Sequence, residues 1–177
     1  MVYLNTILVK YCLEVHLDSI NLIKAIRYTI SDDSDMRSLF GETTAANMRN
    51  KRIFLKDTFY VSIKGNQNFP AITIKTNDDN PNIRGADDNS IYLEICVFNK
   101  WGNPNAMTLN LRAKDRLKLL FEDNHETINY MALTFAPPVI LKVRDVAWVS
   151  ATSYDDKEQG SERMHKNICL LKLTVGD

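Results

Sequence analysis

Apolar positions along the chain fall into stretches of two different periods. From Leu4 to Val15 they stand at Leu4, Ile7, Leu8, Tyr11, Cys12 and Val15, the three- and four-residue steps of one helical stripe. The same segment is rich in β-branched residues, which leaves a strand open, so residues 1–16 read as an N-terminal arm or an extra helix. Asp18 or Ser19 is placed to cap a second helical stretch that carries Leu22, Ile23, Ile26 and Ile30. The polar run Ser31 to Asp35 ends it. Met36, Leu39 and Phe40 then make a short turn of helix closed by Gly41. Glu42 to Arg52 is polar and small, and reads as an exposed loop.

Period two takes over next. Phe59 to Ile63 and Ala71 to Ile74 alternate as strands do, with the turn residues Gly65 to Asn68 between them. Pro70 opens the second strand, where a missing backbone donor is tolerated. A polar loop, Thr76 to Asn89, leads to the clearest strand, Ser90 to Asn99. Ile91, Leu93, Ile95 and Val97 face one side of it; Tyr92, Glu94, Cys96 and Phe98 face the other. After the turn Trp101 to Pro104, helical spacing returns in Leu109, Ala113, Leu117, Leu120 and Phe121. Arg112, Lys114, Asp115, Arg116 and Lys118 occupy much of the remaining surface of that helix. Pro137-Pro138 punctuates the next stretch of chain. Two more strands are predicted around Val139 to Tyr154 and Asn167 to Val175, joined by the polar connection Asp155 to Lys166. This order predicts one α+β domain over residues 1–177, with helices covering one face of a mainly antiparallel sheet.

Composition narrows the function classes. The chain has 177 residues, with 22 basic and 22 acidic side chains and a formal net charge of zero. A neutral chain lacks the electrostatic drive to coat a polyanion, which disfavours a dedicated nucleic-acid binder. No stretch approaches the roughly 20 apolar residues that span a bilayer, so no membrane partner is expected. Cys12, Cys96 and Cys169 are odd in number, far apart and set in apolar runs, the pattern of reduced, buried thiols in a reducing compartment. The N-terminus shows neither the basic start nor the cleavage site of a secretion signal, so synthesis in a cytoplasm is expected.

Chemistry-bearing motifs are weak. His16, His125 and His165 have no neighbours at metal-ligand spacing, and the cysteines show no C-x-x-C pair. The acidic loop fails as a calcium site: counted from Asp78, Ile83 takes the sixth position, where a glycine is needed for the bend. Glu94 with Asp155-Asp156-Lys157 is the one start of a metal-dependent nuclease, the enzyme alternative. No nucleophile signature accompanies it. The sequence therefore assigns no catalytic, cofactor-binding or metal-ligating residue, and no cofactor; an enzyme is disfavoured.

The segment order resembles that of the tail terminator or tail completion proteins of long-tailed bacteriophages. The features that carry the resemblance are the helix Asp18 to Ile30 closing in Phe40-Gly41, the strand start Asn68-Phe69-Pro70-Ala71-Ile72, and the acidic loop. The strand Ile91 to Phe98 running into Asn99-Lys100-Trp101-Gly102, the helix Leu109 to Phe121 and the closing strand Ile168 to Val175 complete them. The chain departs from the pattern in its N-terminal stretch, Met1 to Val15, and its long connection at Asp155 to Lys166. The resemblance implies a small α+β subunit that assembles into a ring, commonly a hexamer, caps the tail tube and docks it to the head connector. It implies a virion location, DNA passing through the ring without specific binding, and no catalytic residue. Zero net charge and clustered Asp suit a lumen that does not grip phosphate. Asp78, Asp79, Asp87 and Asp88 are accordingly the lumen or ring-face candidates. Arg49, Lys51, Arg52 and Trp101 join them as candidate interface positions. Another neck or tail component, such as a connector or tube subunit, and a monomeric adaptor with one groove are the remaining alternatives.

Overall fold

In the computed structural model, which describes residues 20–55, 69–76, 90–100, 103–157 and 163–175, the first helix, α1, covers residues 20–32. It turns Leu22, Ala25, Ile26 and Ile30 inward at the spacing the sequence shows. It runs two residues past Ile30 and stops at Asp33, whose backbone is extended (φ −71°, ψ 123°) and whose side chain caps the next helix, α2 (Ser34–Leu39). Gly41 follows Phe40 in the left-handed region at φ 69°, where its lack of a Cβ removes the steric cost. The helical turn expected at Met36 to Phe40 is therefore present.

The exposed loop expected from Glu42 to Arg52 is not. Its centre is a helix, α3 (Ala45–Lys51), which begins where Thr44 Oγ1 accepts the Asn47 N–H at 3.1 Å. Met48 is fully buried and anchors it. A three-residue strand follows directly, β1 (Ile53–Leu55).

β2 (Ala71–Thr76) and β3 (Ser90–Lys100) stand where the alternation places strands. α4 (Ala106–Phe121) begins three residues ahead of Leu109 and buries Ala106, Asn110, Ala113, Leu117 and Phe121. A second helix, α5 (His125–Leu133), occupies a stretch whose spacing predicts no helix. It buries Ile128 and Ala132. β4 (Val143–Lys157) and β5 (Arg163–Val175) pair as far as Lys157 opposite Arg163. At both flanks of the polar connection expected at Asp155 to Lys166, residues 155–157 and 163–166, the chain is thus strand, because backbone ladder bonds continue whatever the side chains.

The described strands form one sheet in the order β1-β2-β3-β5-β4. β1 runs parallel to β2 and every other neighbouring pair is antiparallel. The fold is α+β with a mixed, mostly antiparallel sheet. Register aligns the two faces across the strands: Ile95 lies opposite Ile74 and Cys169, and Leu93 opposite Leu171. Those side chains share one apolar cluster with Leu22, Ile26 and Ile30 of α1, Leu117 and Phe121 of α4, and Ile128 of α5. Even-numbered residues of β3 point away from it. Cys96 and Phe98 pack with Ala71 and Met164 in a second, smaller cluster. The alternation read from Ile91 to Phe98 is what separates these two clusters.

Candidate interaction surface

Of the residues singled out in the sequence, Arg49, Lys51 and Arg52 are among the described residues. Asp78, Asp79, Asp87, Asp88 and Trp101 lie outside the described residues, as do the stripe Leu4 to Val15 and the strand expected at Phe59 to Ile63. The three basic residues are described, and they sit on and just after α3 rather than on a loop. Arg49 pairs with Asp32 at 2.9 Å, donates to Ser31 Oγ at 2.8 Å and lies 4.2 Å from the Tyr28 ring centroid. Arg52 donates to Glu42 at 2.7 Å and to the Phe69 carbonyl at 2.8 Å. Both guanidinium groups thus tie α3 to its surroundings, and of the three only Lys51 is exposed.

The nuclease alternative finds its carboxylate engaged. Glu94 Oε2 lies 2.9 Å from Lys75 Nζ, and Oε1 accepts from Cys96 Sγ at 3.0 Å. Burial works against its ionisation, but the Cys96 and Lys75 contacts outweigh this and hold it below the usual carboxylate range. Burial, with the Glu94 carboxylate beside it, pushes the Cys96 thiol far up. Cys169 is pushed up to about 12, again chiefly by burial. These two thiols are packing groups. Among the described residues no three His, Cys, Asp or Glu come together as metal ligands would, and no helix is long and apolar enough to cross a membrane.

What the helices present outward is more distinctive. α4 buries one face, yet Met107 is 62% exposed and Leu119 72% exposed, with Leu111 also open to solvent. All three fall on one row of i, i+4 neighbours, with Asp115 between Leu111 and Leu119. Further along, Tyr130 is 68% exposed, Leu133 half exposed and Ile140 75% exposed. Ala136, Pro137 and Pro138 between them are exposed as well.

That second group is held in place. Val139 N–H donates to the Ala132 carbonyl at 3.0 Å, folding the segment back onto the end of α5. Asn129 on α5 donates to the Val143 carbonyl at 2.8 Å and accepts the Val143 N–H at 3.1 Å, which fixes the start of β4. Phe135 anchors it from below, edge-on to Tyr28 at 5.2 Å and 4.2 Å from Lys24 Nζ. The result is a clamped apolar knob at the end of α5. Sequence reasoning missed it, although a signal was present: from Thr127 to Leu141 there is no Asp, Glu, Lys or Arg, in a chain that is 25% charged.

Electrostatics elsewhere on the helices is structural. Arg116 on α4 donates from two guanidinium nitrogens to the Asp33 carboxylate, which also caps α2 through Met36 N–H at 2.8 Å. Burial disfavours the charge on Asp33, but Arg116 and the Met36 N–H prevail and hold its carboxyl below the ordinary range. No model of a known protein family matches the chain, and no curated protein sequence matches it significantly.

Proposed function

We propose that this chain is a structural subunit of a long-tailed bacteriophage, a ring-forming tail terminator or completion protein that caps the tail tube and joins it to the head connector. The observation that carries the reading is the exposure of large apolar side chains on α4, at Met107 and Leu119, and on α5 and the segment that follows it, at Tyr130, Leu133 and Ile140. Large apolar side chains grouped on one part of a surface mark contact sites. The segment order adds support: helices, the strands β2 and β3, the helix α4 and the closing strand β5 follow one another in the order of the resemblance, with α5 as an addition to it. The role needs no reaction. Its partners are copies of itself, commonly six, together with tube and connector proteins, and its place is the virion neck. Genome DNA passes through the ring with no specific contact, which zero net charge favours.

The test is imaging and mass together. Purified chain at high concentration, alone and with tail tubes, is to be weighed in solution and viewed by negative-stain electron microscopy. Rings with a central hole, or density at the head-proximal tube end, are expected. A chain that stays monomeric and ignores tube ends sinks the reading.

A further inference from the structure

Three buried asparagines meet where the first turns of α4 lie over β3 and β5. Asn99 is 1% exposed, Asn110 1% and Asn167 4%. Asn99 on β3 stands opposite His165 on β5, and Asn167 opposite Val97, so the two asparagines are diagonal neighbours across one antiparallel pair. Strand alternation turns both to the face of Leu93, Ile95, Val97 and Cys169, the face that the helices cover. Diagonal neighbours stand roughly 7–8 Å apart, a gap that two short amides and one small molecule between them can close. Asn110 reaches the same place from α4, one turn ahead of Ala113, and its Nδ2 donates to the His165 carbonyl at 3.1 Å.

We propose that these three carboxamides hold one internal water molecule, which fastens α4 to the β3–β5 pair. Among the described residues, Asn99 Nδ2, Asn167 Nδ2 and Asn110 Oδ1 have no hydrogen-bond partner. The other edges of two of these amides are committed. Asn99 Oδ1 accepts the Lys100 N–H at 2.9 Å, and Asn110 Nδ2 gives to His165. Turning either amide round would set donor against donor or acceptor against acceptor, so which atom is left over is fixed.

The leftover atoms select their ligand. Two N–H donors and one carbonyl acceptor carry no net charge. A metal cation would meet two amide N–H edges in place of oxygen ligands, and an anion would face the Asn110 oxygen. Water takes one hydrogen bond from Asn99 and one from Asn167 and gives one to Asn110. Internal waters make about three such bonds. Without it, each leftover atom bears its full desolvation cost, and the apolar neighbours Val97 and Ala113 offer no relief. The start of α4 also lacks a side-chain cap from Asn105, so the water supplies a polar tie at that end of the helix.

Magnetic resonance of the wild-type chain tests this on the side-chain amide protons. Rotating-frame transfer from water is expected at the Nδ2 protons of Asn99 and Asn167, with the sign of a bound water. Asn110→Leu removes the acceptor and puts a side chain of the same branching in its place. Oxygen-17 relaxation should then count one long-lived water fewer than in wild type, and both transfers should vanish. Absence of transfer at both wild-type amides overturns the proposal, as does an unchanged water count in a folded Asn110→Leu chain. So does a crystal structure in which Asn167 turns round and bonds Asn99 and Asn110 directly. If Asn110→Leu fails to fold, the wild-type transfers alone decide.

Discussion

Asp33 and Arg116 are joined by two hydrogen bonds across 83 residues of sequence, and the same Asp33 carboxylate accepts the Met36 N–H that starts α2. One side chain therefore both begins a helix and fastens it to α4. Asp33→Ala loses the cap and the pair together, and is expected to cost about 2 kcal/mol. Asp33→Asn keeps a capping oxygen and should cost about half of that. Chemical denaturation of both variants and of Arg116→Ala checks this. A double-mutant cycle of Asp33→Ala with Arg116→Ala should show coupling of about 1 kcal/mol.

Acid weakens the fold through the same groups. Asp33 and Glu94 are each held below the ordinary carboxylate range in the folded chain. A carboxyl whose folded value is lower than its unfolded one adds stability that is complete above the unfolded value, near pH 4, and disappears as pH falls through the folded value. Urea midpoints should stay level from about pH 7 to pH 5 on account of these groups and then fall. In Asp33→Asn and Glu94→Gln the neutral-pH midpoint should be lower and the acid limb shallower. A wild-type midpoint that rises below pH 4 contradicts the assignment.

The buried thiols should be chemically silent. Burial raises both Cys96 and Cys169, the latter to about 12, so the thiolate fraction at pH 8 is negligible. In a Cys12→Ser background, reaction with an aromatic disulfide reagent at pH 8 should be slower than in urea by on the order of a thousandfold. Rapid modification of the folded chain would place one of these thiols at the surface.

Two neighbouring leucines on α4 should behave in opposite ways. Leu117 is fully buried in the main cluster, whereas Leu119 lies open on the outer row. Leu117→Ala should destabilise the monomer by about 3 kcal/mol, the cost of a cavity in a packed core. Leu119→Ala should change monomer stability by less than about 0.5 kcal/mol and weaken assembly instead. Melting and sedimentation of the two variants separate the roles.

Legibility from sequence followed the strength of the apolar period. Ile91 to Phe98 alternates without a break, and the structure puts its two faces in two separate clusters. Ala113, Leu117 and Phe121 likewise made α4 visible. α3 was hidden because its seven residues, Ala45–Lys51, bury only Met48, too few positions to show a period. Its start was written in Thr44, a capping residue, but a cap followed by polar residues also fits a loop. α5 was hidden for a related reason: Ile128 and Ala132 are its only buried residues, and the prolines just beyond suggested irregular chain. The knob was illegible as a surface because periodicity assigns apolar residues to the core by default. Only the fold shows that Tyr130, Leu133 and Ile140 face solvent while Ile128, Ala132 and Phe135 take the interior.

Weighing the purified protein in solution bears most directly on the central claim that this chain acts by binding copies of itself. At tens of micromolar, mass photometry and sedimentation are predicted to give one closed species of several chains, seen as an annulus under the microscope. A single species at the 20.3 kDa of one chain, at every concentration and beside tail tubes, would contradict it.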